Sequence, residues 1–294
     1  YLLDVKSPLS LEQAQLLARS GCVALQIGIE ALSDHQLRLM QKGNTALQQI
    51  QSIRRCTEVG IHPFYAILTH VVGETVADYE EALAHSRAMR HLVAPGGVFP
   101  IEINRYAPYF DQWQELGFRR PEPATYYRLM FGPDRTDLAD FAYHFTGTHP
   151  GTHNPRLDRA RDRLRHFVEH DWAPTQRHRR LSYRVGRGLV TVTRGDARSA
   201  EVSVRELHGP EADLFLACDE ITPARRLVES FSGQLGPDGV RRLLADWVED
   251  GLLVRSHRRD AVLAVPTAEQ PMRERAATTL EGSRRRATIP VVAI

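Results

Sequence analysis

Cysteine and lysine are the scarce residues of this 294-residue chain. Its three cysteines, Cys22, Cys56 and Cys218, form no Cys-x-x-Cys pair, no zinc-ligand spacing and no disulfide framework. Reduced, mostly buried thiols in a cytoplasmic protein are therefore expected. No stretch approaches the ~20 apolar residues needed to span a bilayer, and no signal-peptide pattern opens the chain, so no membrane partner is expected. A net charge of +2 gives no reason to expect a polyanionic one. What remains is an ordinary globular composition, long enough for one large or two modest domains.

Of the 38 basic residues only Lys6 and Lys42 are lysines; the rest are arginines. A bias this strong is most simply a genome-composition effect, which makes the exceptions interesting. Both lysines lie in the first 42 residues, accompanied there only by Arg19 and Arg38. An ammonium is a compact point charge and a guanidinium a planar fork, so the two are not interchangeable. Coincidence and a functional choice of lysine both fit the pattern. The chain also opens, at Tyr1, inside an apolar strand-like run, and the expectation is a longer protein with further strands upstream.

The first hundred residues alternate strands and helices. Residues 1–6 read as a strand, and Ser10 with Gln13 makes a capping box for a helix stopping at Gly21. Residues 22–29 read as the next strand. Ser33 with Gln36 caps a short helix ending at Gly43, and Asn44 or Thr45 opens another ending at Gly60. Residues 61–71 read as a third strand, Thr75 with Asp78 starts a helix to about His91, and a fourth strand follows near 98–104. Such alternation implies βαβ units and a parallel sheet. Four strands cannot close a barrel, so the layer is expected to be partial. Residues 116–180 read as a linker and helical extension. Its His144, His149 and His153 stand in a Gly/Pro/Thr-rich loop without acidic support, which favours a surface loop over a metal site.

Within strand 22–29, Gln26, Gly28 and Glu30 share one face, and Leu25, Ile27 and Ile29 share the other. In an α/β barrel, function sits at the C-terminal strand ends. Gly28 would let a ligand approach the backbone, and Glu30 would stand at the rim, where a carboxylate can bridge ribose hydroxyls or pair with an ammonium. Packing for Gly28 and helix capping for Glu30 are the bland alternatives. Val71-Val72-Gly73-Glu74-Thr75 is a strand-to-helix turn that can offer backbone N–H groups to a ligand, or can simply be a turn. Asp4 and Lys6 share a face of the first strand.

Together these residues resemble the radical S-adenosylmethionine (SAM) enzymes of the cobalamin-binding type, particularly those that mature ribosomally made peptides. The resemblance runs, in order, through Asp4-Val-Lys6, Gln26-Ile-Gly-Ile-Glu-Ala-Leu-Ser33, Leu37-Arg-Leu-Met-Gln-Lys-Gly43, Val71-Val-Gly-Glu-Thr75, Arg105-Tyr-Ala-Pro-Tyr-Phe110 and Asp140-Phe-Ala-Tyr-His-Phe145. It implies a (β/α) partial barrel over residues 1–115. It also implies SAM contacts drawn from Lys6, Gln26, Gly28, Glu30, Lys42, Gly73, Glu74 and Arg105, with Gly73 and Glu74 framing the adenine. The family usually shows Gly-Phe-Pro-Gly-Glu where this chain has His70-Val71-Val72-Gly73-Glu74. The Cys-x-x-x-Cys-x-x-Cys motif that binds a [4Fe-4S] cluster is missing from these residues. It is expected upstream, as is a cobalamin domain, so no catalytic or metal-ligating residue is assigned here.

Residues 181–266 read as strands at 181–185, 189–193 and 201–206 and helices at 210–218, from Thr222-Pro223 and from Pro237. A hairpin flanks residues 255–260. This winged-helix pattern resembles the leader-peptide recognition elements of such pathways, which bind an extended peptide by strand addition. Leu243, Trp247 and strand 201–206 are the expected peptide contacts, and residues 267–294 are expected to be a disordered tail. The functional expectation is a radical SAM maturase of a precursor peptide, with cobalamin-dependent C-methylation as its finer form. The alternative is a non-catalytic precursor-peptide-binding protein with a degenerate barrel. Nucleic acid is disfavoured, because Asp246, Glu249 and Asp250 interrupt the basic surface of the third helix.

Overall fold

The computed structural model describes residues 9–269, apart from 133, 135, 153 and 257. The expected strand 1–6 with Asp4 and Lys6, His153, and the tail from residue 270 onward lie outside the described residues.

Leu25, Ile27 and Ile29 are buried while Gln26, Gly28 and Glu30 alternate with them on the open side, as period-two patterning requires. Ala24–Gln26 pairs in parallel with His62–Phe64. The contact continues as Ile27 N–H donates to the Phe64 carbonyl at 3.0 Å and Leu68 N–H to the Glu30 carbonyl at 2.8 Å. Ile67–Thr69 in turn pairs in parallel with Val98–Pro100. The strand expected over 61–71 is therefore two pieces, 62–64 and 67–69. Its break falls where Tyr65 leaves the ladder to accept the Gly96 N–H and to donate its hydroxyl to the Val93 carbonyl, at 2.8 and 2.7 Å.

Local signals place the helices between these strands. Ser10 and Gln13 form the capping box of Leu11–Arg19, and Thr45 and Gln48 that of Ala46–Glu58. Asp78 reaches back to the Thr75 N–H at the start of Val76–Ala88. Ser33 caps Asp34–Leu39 by accepting the His35 N–H, but Gln36 does not complete the expected box. Its amide donates to Glu74 instead.

Ala46–Glu58 is covered on nearly every side, with ten of its 13 residues buried, Arg54 and Arg55 among them. A buried guanidinium needs partners to offset its lost hydration. Arg54 meets Asp219 at 3.0 Å and Glu58 at 3.6 Å, and also donates to the Ala264 carbonyl. Arg55 meets Glu58 at 2.8 Å, Asp219 at 2.7 Å and Glu220 at 2.5 Å. These pairs root the C-terminal half of the chain on Ala46–Glu58. One apolar core runs across the junction, from Leu25 and Ile50 through Trp172 to Trp247 and Leu263.

Between the halves, Ile103–Asn104, His144–Thr146 and Glu122–Pro123 form a small antiparallel sheet over Ile103, Phe118, Ala142 and Phe145. His144 thus lies in a strand, bonded to Asn104 at 2.7 Å, and His149 sets its ring edge-on to Phe118. Among the described residues no group of three metal-ligating side chains gathers. Pro155–His166, N-capped by Asn154, continues into a π-helical turn at Phe167–Trp172 and packs on Val76–Ala88.

The C-terminal half holds a sheet in the order Glu201–His208, Leu189–Asp196, Arg179–Val185, Thr267–Ala268. Its last pairing is parallel, Thr267 opposite Ser182, so Thr267–Ala268 belongs to the sheet and not to a disordered tail. Helices Pro210–Ala217, Ala224–Leu235 and Pro237–Glu249 come next, with the hairpin Leu253–Ser256/Ala261–Ala264. Thr222–Pro223 joins that hairpin as a third short strand. Thr222 is accordingly not the expected N-cap: its hydroxyl donates to the Ala217 carbonyl at 2.9 Å, and the helix begins at Ala224. No helix among the described residues is long and apolar enough to cross a membrane.

Candidate ligand-binding face

The open side of the parallel strands carries Gln26, Gly28 and Glu30. Gln26 lies opposite Phe64 and Leu68 opposite Phe99, so the two phenyl groups flank the same side. Both remain about half exposed, at 55% and 51%. The strand expected over 22–29 is only Ala24–Gln26, and Glu30 lies four residues beyond its end on the same side. Its N–H is accepted by the Gln49 side chain at 3.3 Å and its carbonyl takes Leu68 N–H, which fixes the backbone from two sides.

Lys42 reaches Glu30 because the chain doubles back after Asp34–Leu39. Lys42 N–H donates to the Leu37 carbonyl at 3.0 Å, and the turn needs left-handed backbone at Gln41 (φ +55°) and Gly43 (φ +72°). Lys42 Nζ then stands 2.5 Å from Glu30 Oε2. That oxygen is closed to solvent, and no group among the described residues donates a well-aligned hydrogen bond to it. The ammonium balances the carboxylate's charge without satisfying its directional demand. The Glu30 side chain is otherwise 24% exposed, which leaves acceptor capacity for a hydroxyl or ammonium donor on a ligand.

Gly73 and Glu74 behave differently from expectation. Gly73 sits at φ +87°, and a Cβ there would come within 3.2 Å of Leu39, so glycine serves the turn itself. The Glu74 carboxylate points into the protein. It accepts His70 N–H and Val71 N–H, each at 3.1 Å, the Tyr79 hydroxyl at 2.5 Å, the Gln36 amide at 3.2 Å and Arg161 Nε at 2.8 Å. Val72 N–H goes to the Tyr109 hydroxyl. The amides expected to frame adenine are thus occupied internally, and Glu74 is an internal anchor. Burial and the Glu74 charge push the Tyr79 hydroxyl far above its ordinary pKa, consistent with a donor that stays protonated.

Arg105 is likewise engaged elsewhere. Its Nε donates to the Ala142 carbonyl at 2.7 Å, and the guanidinium lies 5.3 Å from the ring centres of both Phe110 and Phe145, tying the central extension together. Lys6 lies outside the described residues. Of the expected cofactor residues, the structure brings together Gln26, Gly28, Glu30 and Lys42.

Trp247 is fully buried, edge-on to Phe215, and Leu243 is half-buried against the same core. Trp247 therefore cannot be a peptide contact: Val240, Leu244 and Trp247 are the core stripe of their helix. Strand Glu201–His208 is a sheet edge, with Val202 and Val204 exposed at 67% and 60%. Sequence reasoning missed Arg161, which the Arg-rich helix hid among many similar residues.

The thiols do not fit an iron–sulfur cluster. Burial pushes Cys56 and Cys218 each up to about 12, away from the thiolate that ligation needs. A SAM molecule fits better, since the open face offers a partly exposed carboxylate held by a single ammonium.

The fold and site define an α/β protein with a partial parallel layer and a carboxylate at its rim. Residues 2–85 match the family model described as Radical SAM superfamily. No curated protein matches the chain. Among solved structures, it resembles the radical S-adenosylmethionine methyltransferase TsrM from Kitasatospora setae, with cobalamin and a [4Fe-4S] cluster bound. Identity is 21%, over 42% of this chain and 26% of that one, with a TM-score of 0.33. It also resembles coproporphyrinogen III oxidase (HemN) from Escherichia coli, a radical SAM enzyme. There identity is 12%, over 90% of this chain and 65% of that one, with a TM-score of 0.32. The chain thus spans about a quarter of the one and under two thirds of the other. Likenesses at these scores do not establish a shared activity.

Proposed function

We propose that these residues form the SAM-cradling part of a radical SAM enzyme that modifies a ribosomally synthesised precursor peptide. The observation that carries this reading is Glu30. It lies four residues beyond strand Ala24–Gln26 in the segment matched to the superfamily, faces the open side, and pairs with Lys42 while its side chain stays 24% exposed. Glu30 would accept hydrogen bonds from ribose hydroxyls or the amino group, Gly28 would admit the ligand to the backbone, and Phe64 and Phe99 would exclude water from the face. When bound, SAM supplies the adenosyl group used in such chemistry. A cluster would need cysteines that these 294 residues do not offer as a triplet. Cobalamin-dependent C-methylation is the finer form of the proposal, and a cytoplasmic location belongs to it.

The test uses the uninterrupted reading frame, expressed and reconstituted anaerobically with iron, sulfide and reductant. Formation of 5′-deoxyadenosine from SAM, lost in Glu30→Ala, is the expected result. No 5′-deoxyadenosine from the reconstituted protein would sink the enzymatic reading.

A second reading rests on the edge strand Glu201–His208. We read the C-terminal half as a winged-helix-like module whose open edge accepts an extended leader peptide, and this function survives if the barrel is degenerate. Fluorescence anisotropy of a labelled precursor peptide should show micromolar binding. Its absence would leave the edge as a packing surface only.

A further inference from the structure

The proposed function makes Glu30 the ligand's carboxylate, and the role assigned here to its neighbouring lysine rests on that reading. We propose that Lys42 is a positioning residue whose ammonium orients Glu30 through a single point contact and leaves the remaining acceptor capacity to the ligand, a task that arginine at the same place would spoil.

The chain writes its basic residues as arginine at every position but two. Where arginines close a structural joint they cover the carboxylate with more than one donor, whereas an exposed pair such as Arg241 with Asp238 uses a single one. Arg161 uses both Nε and Nη2 on Glu74. Arg184 uses both Nε and Nη2 on Glu269, at 3.1 and 2.8 Å, while Arg180 takes the remaining oxygen at 2.6 Å. Arg54 and Arg55 between them cover both oxygens of Asp219. Each of these carboxylates ends with its acceptor capacity largely filled. This is what a planar fork of donors does, and it suits a structural joint.

Glu30 is arranged otherwise. Lys42 Nζ meets it at one point, 2.5 Å from Oε2, and the Glu30 side chain stays 24% exposed. A point charge can balance the carboxylate without closing its acceptor face. The approach is built into the backbone, because Gln41 holds a left-handed conformation that costs a non-glycine residue energy. The pair is also partly exposed, 37% for Lys42 and 24% for Glu30, so it contributes little to stability. An ordinary surface ion pair in this position would be indifferent to arginine. A ligand-positioning one would not.

The test uses the protein of the uninterrupted reading frame, reconstituted as above, with SAM as the probe. First, the lysines are reductively dimethylated with a carbon-13 label, which preserves their charge. The Lys42 methyl resonance, assigned by its loss in Lys42→Arg, should move in Glu30→Gln; an unmoved resonance overturns the pairing. Second, equilibrium dialysis compares SAM binding. Lys42→Arg should melt within about 2 °C of the natural chain yet bind at least about fivefold more weakly, as should Lys42→Met. Binding by Lys42→Arg within about twofold of the natural chain overturns the proposal while leaving the cofactor reading intact. If the natural chain binds no SAM although the Lys42 resonance responds to Glu30→Gln, the cofactor reading falls and takes this inference with it.

Discussion

Arg161 reaches back 87 positions to Glu74, donating from Nε at 2.8 Å and also from Nη2 to the same carboxylate oxygen. Both side chains are almost wholly buried, at 2% and 1% exposure. This pair pins Pro155–His166 against the turn that leads into Val76–Ala88.

Removing one partner of a buried pair leaves an uncompensated charge. Arg161→Met should therefore cost about 3 kcal/mol in urea unfolding. Glu74→Gln in the Arg161→Met background should recover part of that loss, because the stranded carboxylate is then gone. A double-mutant cycle with no coupling energy would show that the two do not act as a pair.

Thiol reactivity separates the three cysteines. With Cys56 and Cys218 pushed up to about 12, their thiolate fraction at neutral pH is negligible. Cys22 is half-exposed. A chromogenic disulfide reagent should titrate one thiol quickly in the folded chain and all three in denaturant. Fast reaction of three thiols in the folded chain would contradict this burial.

His91 should make stability fall on mild acidification. Burial lowers its pKa from 6.5 to about 4, while its Nε2 stays 2.9 Å from the Val265 carbonyl. Between those values the unfolded chain binds a proton that the folded one refuses. The stabilisation is complete above about pH 6.5 and is lost as pH drops toward 4. The loss should be about 2 kcal/mol, allowing for partial exposure of the ring. His91→Gln should flatten the urea-midpoint profile over that window, and an unchanged slope would assign the effect to other groups.

The junction at Asp219 offers a test of how firmly the two halves are joined. Arg54 and Arg55 hold this carboxylate below its ordinary value although burial alone would raise it. Asp219→Ala should cost about 3 kcal/mol by leaving two buried guanidinium groups short of a partner. Hydrogen exchange should then quicken in Leu253–Ser256, whose sheet lies beside Ala46–Glu58. Protection unchanged there would mean that the apolar core alone keeps the halves together.

Much of the local structure was legible in the sequence, for a physical reason. Caps at Ser10 and Thr45, stops at Gly21 and Gly60, and the alternation from Leu25 to Glu30 all depend on neighbours close in the chain. The nearness of Glu30 and Lys42 could be suspected from one short motif. Glu74 was misjudged because its fate depends on Arg161, and no local pattern couples them. Trp247 was misjudged because an apolar helical stripe looks the same whether it meets a core or a guest. The break at Tyr65 depends on a strand changing neighbours, which only tertiary structure reveals. Asp219, more than 160 positions from Arg54 and Arg55, was out of reach in the same way.

The double clamp on Ala46–Glu58 has a mechanical consequence. That helix comes directly after the turn carrying Lys42 and is also the beam on which Asp219 and the C-terminal sheet are mounted. Glu30, through its N–H on Gln49, and the C-terminal sheet, through Ala268 N–H on Glu58, are thus both tied to this one helix. A shift of that helix would therefore be felt at both places at once, so the rim and the far sheet cannot move independently of it.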